Sequence, residues 1–225
     1  MSRALVLAVL VGGIVVTGQS QTPIDKAARQ WVEATLKKMS LEQIAGQMIF
    51  APFDSTYLSS DSDDYDKLVK LVHETQIGGV IAFGGAERVP QVMLNNTYGN
   101  VVLGQPLELA SILNRLQAIS TLPLLTSSDF EWGVQMRIAG ATKFPRAMAF
   151  GATGDPKLAY EAGKVVGTES RALGVHVDFA PVADVNNNPQ NPVINIRSFG
   201  EDPERVGRLS AAFVTGVRSG GMLAT

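Results

Sequence analysis

Four short apolar runs, separated by stretches with helical spacing, constrain this chain more than anything else in it. They begin near Gly79, Leu122, Val175 and Met222. Gly79-Val80-Ile81-Ala82-Phe83 stops at Gly84-Gly85, and Leu122-Pro123-Leu124-Leu125-Thr126 runs into polar residues. Short apolar runs bounded by turn residues read as buried strands. Leu107 to Ile119 has helical spacing. The stretches from Asp155-Pro156 to Gly174 and from Asp202-Pro203 to Gly220-Gly221 share one punctuation: an Asp cap, Pro at the first helical position and Gly at the end. Upstream, Ile24 to Met39 is helical, Ser40-Leu41-Glu42-Gln43 is a capping box that opens a second helix, and Asp61 to Glu74 is a third.

Strands alternating with helices form a parallel sheet. Gly151-Ala152-Thr153-Gly154 lacks the full dinucleotide-binding pattern and a suitable preceding strand, so a barrel is preferred to a nucleotide-binding fold. The expected architecture is α/β, the N-terminal part of a (β/α)8 TIM-type barrel. It is incomplete: three or four strands are visible, and a whole barrel takes about 250 residues. The chain reads as the front of a longer protein. Half a barrel leaves a sheet edge open to pairing, so the piece alone is expected to be unstable and inactive.

The first residues, MSRALVLAVLVGGIVVTGQSQTPID, place Arg3 before an apolar run and small or polar residues after it. That is a secretory signal pattern, assigned to residues 1–20, with the barrel portion over 21–225. The alternative is an uncleaved anchor, but the run from Ala4 to Thr17 is shorter than the roughly 18 residues of a spanning segment. The mature protein is expected to be secreted or periplasmic, with no membrane association after cleavage. A net charge of -2 gives no reason to expect nucleic acid as a partner. The absence of cysteine excludes disulfides, thiolate metal sites and a cysteine nucleophile. With only His73 and His176 present, a histidine-rich metal site is not expected, and neither is a cofactor.

Active sites of such barrels lie at the C-terminal ends of the strands. Two segments fall there: Ser127 to Arg137, and the Asn- and Pro-rich loop from Asp184 to Pro203 that contains Arg197. The first offers Asp129, Glu131, Trp132 and Arg137. A carboxylate or a guanidinium can bind two adjacent hydroxyls, and an aromatic face suits the apolar side of a sugar ring. A polyhydroxylated ligand is the expected partner. Other polar residues read as structural. Asp155 and Asp202 cap helices, Asp184 fixes its loop, Asp178 is a satisfied buried polar residue, His176 is packed and hydrogen-bonded, and His73 faces solvent. Glu131 stands between two roles, a ligand contact or a brace for its loop.

Asp129 to Arg137, Lys143-Phe144-Pro145, Gly151 to Pro156, Pro181-Val182-Ala183-Asp184-Val185 and Arg197 to Pro203, taken in order, resemble the N-terminal domain of family 3 glycoside hydrolases. Asp-x-Glu-x-Gly followed by Val-Gln-x-Arg resembles the β-N-acetylhexosaminidase branch. The chain departs from that branch at Trp132, where glycine is common, and in extra residues between Gly85 and Pro106. The resemblance implies that Asp129, Arg137 and Arg197 bind the non-reducing terminal sugar of a glycan or cell-wall fragment. It implies release of terminal β-linked N-acetylhexosamine by a retaining mechanism in the full-length protein. The alternatives are a β-glucosidase-like exo-hydrolase and a catalytically silent sugar-binding fragment. A retaining glycosidase needs a carboxylate nucleophile and an acid that later acts as base. The resemblance puts both beyond Thr225, so no residue here is assigned as catalytic.

Overall fold

The computed structural model describes residues 24–84 and 104–225. The segment expected to be a signal peptide, and most of the extra residues before Pro106, lie outside the described residues. The chain divides into a unit ending at Met39 and a larger one from Ser40 to Thr225. In the first, helix α1 spans Lys26–Leu36, and the Asp25 side chain accepts from the Ala28 N–H at 2.7 Å.

The second unit opens as its capping box dictates. Ser40 Oγ accepts from the Gln43 N–H, and Gln43 Oε1 accepts from the Ser40 N–H, fixing the start of α2 at Leu41–Gln47. Five strands follow: β1 Phe50–Asp54, β2 Gly79–Phe83, β3 Leu125–Ser128, β4 Val177–Asp178 and β5 Leu223–Ala224. All neighbours pair in parallel, in the order β1-β2-β3-β4-β5. Sequential order distinguishes this sheet from a doubly wound one, whose strand order reverses. Between the strands run α3 (Asp63–His73), α4 (Pro106–Ile119), α5 (Ala147–Thr153) with α6 (Pro156–Ala172), and α7 (Pro203–Ser219). The core joins strand residues Val80 and Ala82 to Leu109, Leu113 and Leu116 of α4, and Val166 of α6 to Leu209 and Phe213 of α7.

Two expectations need correction. β1 was not foreseen, because Pro52 interrupts its apolar run and cannot donate to a ladder. The strand forms because it lies at the edge of the described sheet, with Pro52 in register with Ile81. The strand expected from Leu122 begins instead at Leu125 and ends at Ser128. Before it, the Gln117 side chain of α4 takes up both the N–H and the carbonyl of Leu124, bonds a ladder would otherwise use. The helices opened by Asp155 and Asp202 form as expected, with Asp155 Oδ1 accepting from Lys157 and Asp202 Oδ1 from Arg205.

Candidate functional site

The loops that leave β3 and β4 meet at the C-terminal ends of those strands. From β3 the chain passes through Asp129, Phe130 and Glu131 to Gly133, whose φ of 106° suits glycine alone. A Cβ at Gly133 would also stand 2.3 Å from the Thr142 carbonyl. The turn that follows, Val134–Met136, delivers Arg137 back to Asp129. Arg137 Nε donates to Asp129 Oδ1 at 2.6 Å, and Nη2 to Oδ2 at 2.5 Å. This fork-to-fork pairing is the strongest geometry available to the two groups. The Arg137 side chain is 4% exposed and that of Asp129 20%. The loop is braced further along, where both carboxylate oxygens of Glu169 on α6 accept from the N–H and hydroxyl of Thr142.

The loop after β4 is tied off by Ser198. Its hydroxyl lies 2.5 Å from the Asp184 carbonyl and also accepts from the Gly200 N–H, while the Asn186 N–H donates to the Gly200 carbonyl. Asn188 and Asn191 shape the span between, each side chain accepting the N–H two residues on. A turn at Asn195–Arg197 then sends Arg197 across to the β3 loop. Its Nε donates to Glu131 Oε2 at 2.9 Å and its Nη2 to Oε1 at 2.7 Å. Glu131 is thus a brace between the two loops.

Asp129 and Arg137 therefore form one carboxylate–guanidinium pair within the β3 loop, and Glu131 and Arg197 form a second that bridges the loops. Trp132 does not stand open as an aromatic platform. Its side chain is buried, and the Arg146 guanidinium lies over its ring, 3.1 Å from the centroid. Arg146 was not foreseen, since it enters from the start of α5, an unanticipated helix. Burial, opposed by Glu131 and reinforced by Arg197, brings its pKa down to about 10, so it stays charged at neutral pH.

The remaining polar residues divide. Asp184 is exposed, and it is its backbone carbonyl that fastens the loop. His73 is exposed on α3. His176 Nδ1 accepts from the Thr126 N–H at 3.2 Å and lies 2.6 Å from the Thr126 hydroxyl, as a packed histidine should. Burial, and secondarily Arg171, lowers its pKa. It lines a cavity of about 290 Å³ with Leu113, Asn114, Arg171 and Gly174, at the N-terminal end of β4. Asp178 is buried as expected, but among the described residues only one of its oxygens has a hydrogen-bond partner.

A sheet of sequential parallel strands with its polar constellation on the loops after β3 and β4 defines a TIM-barrel-like α/β protein, of which this chain holds the N-terminal part. The profile described as "Glycosyl hydrolase family 3 N terminal domain" matches residues 36–225, and the chain belongs to that family. It is 39% identical over 163 residues to beta-hexosaminidase A of Pseudoalteromonas piscicida, covering 70% of this chain and 25% of that one. It is 30% identical over 202 residues to a beta-N-acetylglucosaminidase/beta-glucosidase of Cellulomonas fimi, covering 90% of this chain and 31% of that one. Among solved structures, a family 3 beta-N-acetylglucosaminidase from Paenibacillus sp. str. FPU-7 superposes with a TM-score of 0.67 at 38% identity, covering 83% of this chain and 32% of that one. The chain spans less than a third of the length of each of these relatives.

Proposed function

We propose that the whole protein hydrolyses glycosidic bonds and releases terminal non-reducing β-linked N-acetylhexosamine, and that the two strand-end loops described here hold that sugar. The observation that carries this reading is the pairing of Asp129 with Arg137 and of Glu131 with Arg197 at the strand ends. Asp129 keeps part of its carboxylate surface open and can accept from two neighbouring hydroxyls. Arg197 is 27% exposed, so its guanidinium is accessible to the same ligand. Arg137 is buried, so it acts on the sugar through Asp129 by fixing that carboxylate's orientation.

Bond cleavage belongs to residues outside this chain, in keeping with a retaining mechanism built from two carboxyl-bearing positions. Leu125 and Leu223 leave large side chains exposed on a parallel sheet, a class of sheet normally covered on both faces. In the whole protein these side chains belong to the barrel interior. The N-terminal segment is a secretory signal, and the mature protein is secreted or periplasmic.

A second reading, a β-glucosidase-like exo-hydrolase, draws on the double name of the Cellulomonas fimi relative. Hydrolysis of chromogenic N-acetylglucosaminide and glucoside substrates by the whole protein separates the two. A kcat/KM at least ten-fold higher for the N-acetylglucosaminide is expected. The reverse order would establish the glucosidase, and turnover of neither would leave a sugar-binding protein.

A further inference from the structure

A carboxyl group that neither ion pair uses lies beside both of them. Asp178 closes β4 and is fully buried. Its Oδ1 accepts from the Phe130 N–H at 2.9 Å. Its Oδ2 is buried and has no hydrogen-bond partner among the described residues. Phe130, also fully buried, is the residue between Asp129 and Glu131. The peptide that Asp178 holds is therefore the one between Asp129 and Phe130, on the short stretch that links the two acids of the site.

We propose that Asp178 is a positioning residue for the sugar pocket: by anchoring the Phe130 amide it fixes the backbone between Asp129 and Glu131, and so aims one acid at Arg137 and the other at Arg197. The inference rests on the reading of the pocket given above. It explains why a polar side chain occupies a fully buried strand end. An apolar residue would pack there at less cost, since a buried carboxyl with an unpaired oxygen carries a desolvation penalty of about 1–3 kcal/mol. An apolar residue would also leave the Phe130 N–H unpaired at a buried position.

The charge state of the anchor matters to the pairs beside it. Burial drives the Asp178 pKa up to about 7, against the Phe130 hydrogen bond that lowers it, and Asp129 and Glu131 add to the rise. Its partners in register on β3 and β5, Ser128 and Ala224, carry no charge. Below neutral pH the anchor is a neutral acid that holds the amide without disturbing either pair. Above it, a third negative charge stands beside two carboxylates and pushes them apart. Sugar affinity is therefore expected to fall several-fold as pH rises through about 7.

The test combines an NMR titration of the Phe130 amide in the whole protein with the affinity for N-acetylglucosamine, both followed between about pH 5 and pH 9. In the wild type, the Phe130 resonance and the affinity should move together with a midpoint near 7. Asp178→Asn keeps the acceptor and cannot ionise, so it should hold the low-pH resonance and affinity across the range. Asp178→Ala loses the anchor and should weaken the sugar ten-fold or more. If that variant does not fold, the wild-type titration and the Asn variant still decide. A wild type that binds sugar while its Phe130 amide ignores both pH and Asp178→Asn overturns the role of Asp178. A wild type whose Phe130 amide titrates as expected but that takes no sugar at any pH overturns the pocket reading instead.

Discussion

Arg197 reaches across 66 residues of chain to hold both oxygens of Glu131, at 2.9 and 2.7 Å. That pair joins the loop after β3 to the loop after β4. It follows that changes at Glu131 affect stability and sugar binding together. Glu131→Gln keeps the size of the side chain and removes its charge. The loss of the ion pair and of one of its two hydrogen bonds should cost about 1.5–3 kcal/mol in urea unfolding, and sugar affinity should drop about ten-fold. Affinity unchanged within two-fold would show that Arg197 is placed without Glu131.

The Asp129–Arg137 pair is the more buried of the two, and a double-mutant cycle measures it. Asp129→Asn and Arg137→Lys, singly and together, should give a coupling energy toward the upper end of the usual range of about 0.5–3 kcal/mol. The exposed pair of Lys67 with Asp64, whose side chains are 71% and 74% exposed, serves as the control and should show no measurable coupling. Equal coupling in the two cycles would mean that Arg137 does not orient Asp129.

Gly151→Ala tests how α5 meets the loop that carries Arg197. A Cβ at Gly151 would stand closer to the Phe199 carbonyl than any van der Waals contact allows, and backbone cannot give way as a side chain does. The substitution should destabilise by about 1–3 kcal/mol and displace Arg197, which lies two residues before Phe199 in the sequence. Thermal unfolding and sugar affinity should both register it, whereas a variant of wild-type stability would contradict the close approach.

Stability should depend on pH through two groups of opposite sign. Asp178 is raised from 3.8 to about 7 on folding, so its contribution is complete below about 3.8 and is lost as pH rises to about 7. His176 is lowered from 6.5, so its contribution is complete above that value and is lost as pH falls below it. Urea midpoints measured against pH should lose the first slope in Asp178→Asn and the second in His176→Gln. An Asp178→Asn profile that matches the wild type between pH 4 and 7 would place the wild-type carboxyl in the ionised state.

What was legible in the sequence was whatever local chemistry decides. The Asp155-Pro156 and Asp202-Pro203 starts and the Ser40 capping box are set by bonds spanning two or three residues, and they form as expected. Strand β1 was hidden because the tolerance for Pro52 depends on its place at a sheet edge, which only the assembled sheet reveals. Motif resemblance singled out Asp129, Arg137 and Arg197 but gave no sign of how they pair. Either arginine could have joined either acid, and the choice follows from the turns at Gly133 and at Asn195–Arg197. Trp132 looked like a sugar platform because Arg146, 14 residues further along, gives no local sign that it will cover the ring.

The most direct measurement is a crystal structure of the protein with N-acetylglucosamine bound. Sugar hydroxyls within hydrogen-bond distance, about 2.7–3.2 Å, of Asp129 and Arg197, with Arg137 still gripping Asp129 from behind, are the expected result. Sugar bound elsewhere, as in the cavity beside His176 and Arg171, with Asp129 and Arg197 untouched, would contradict it.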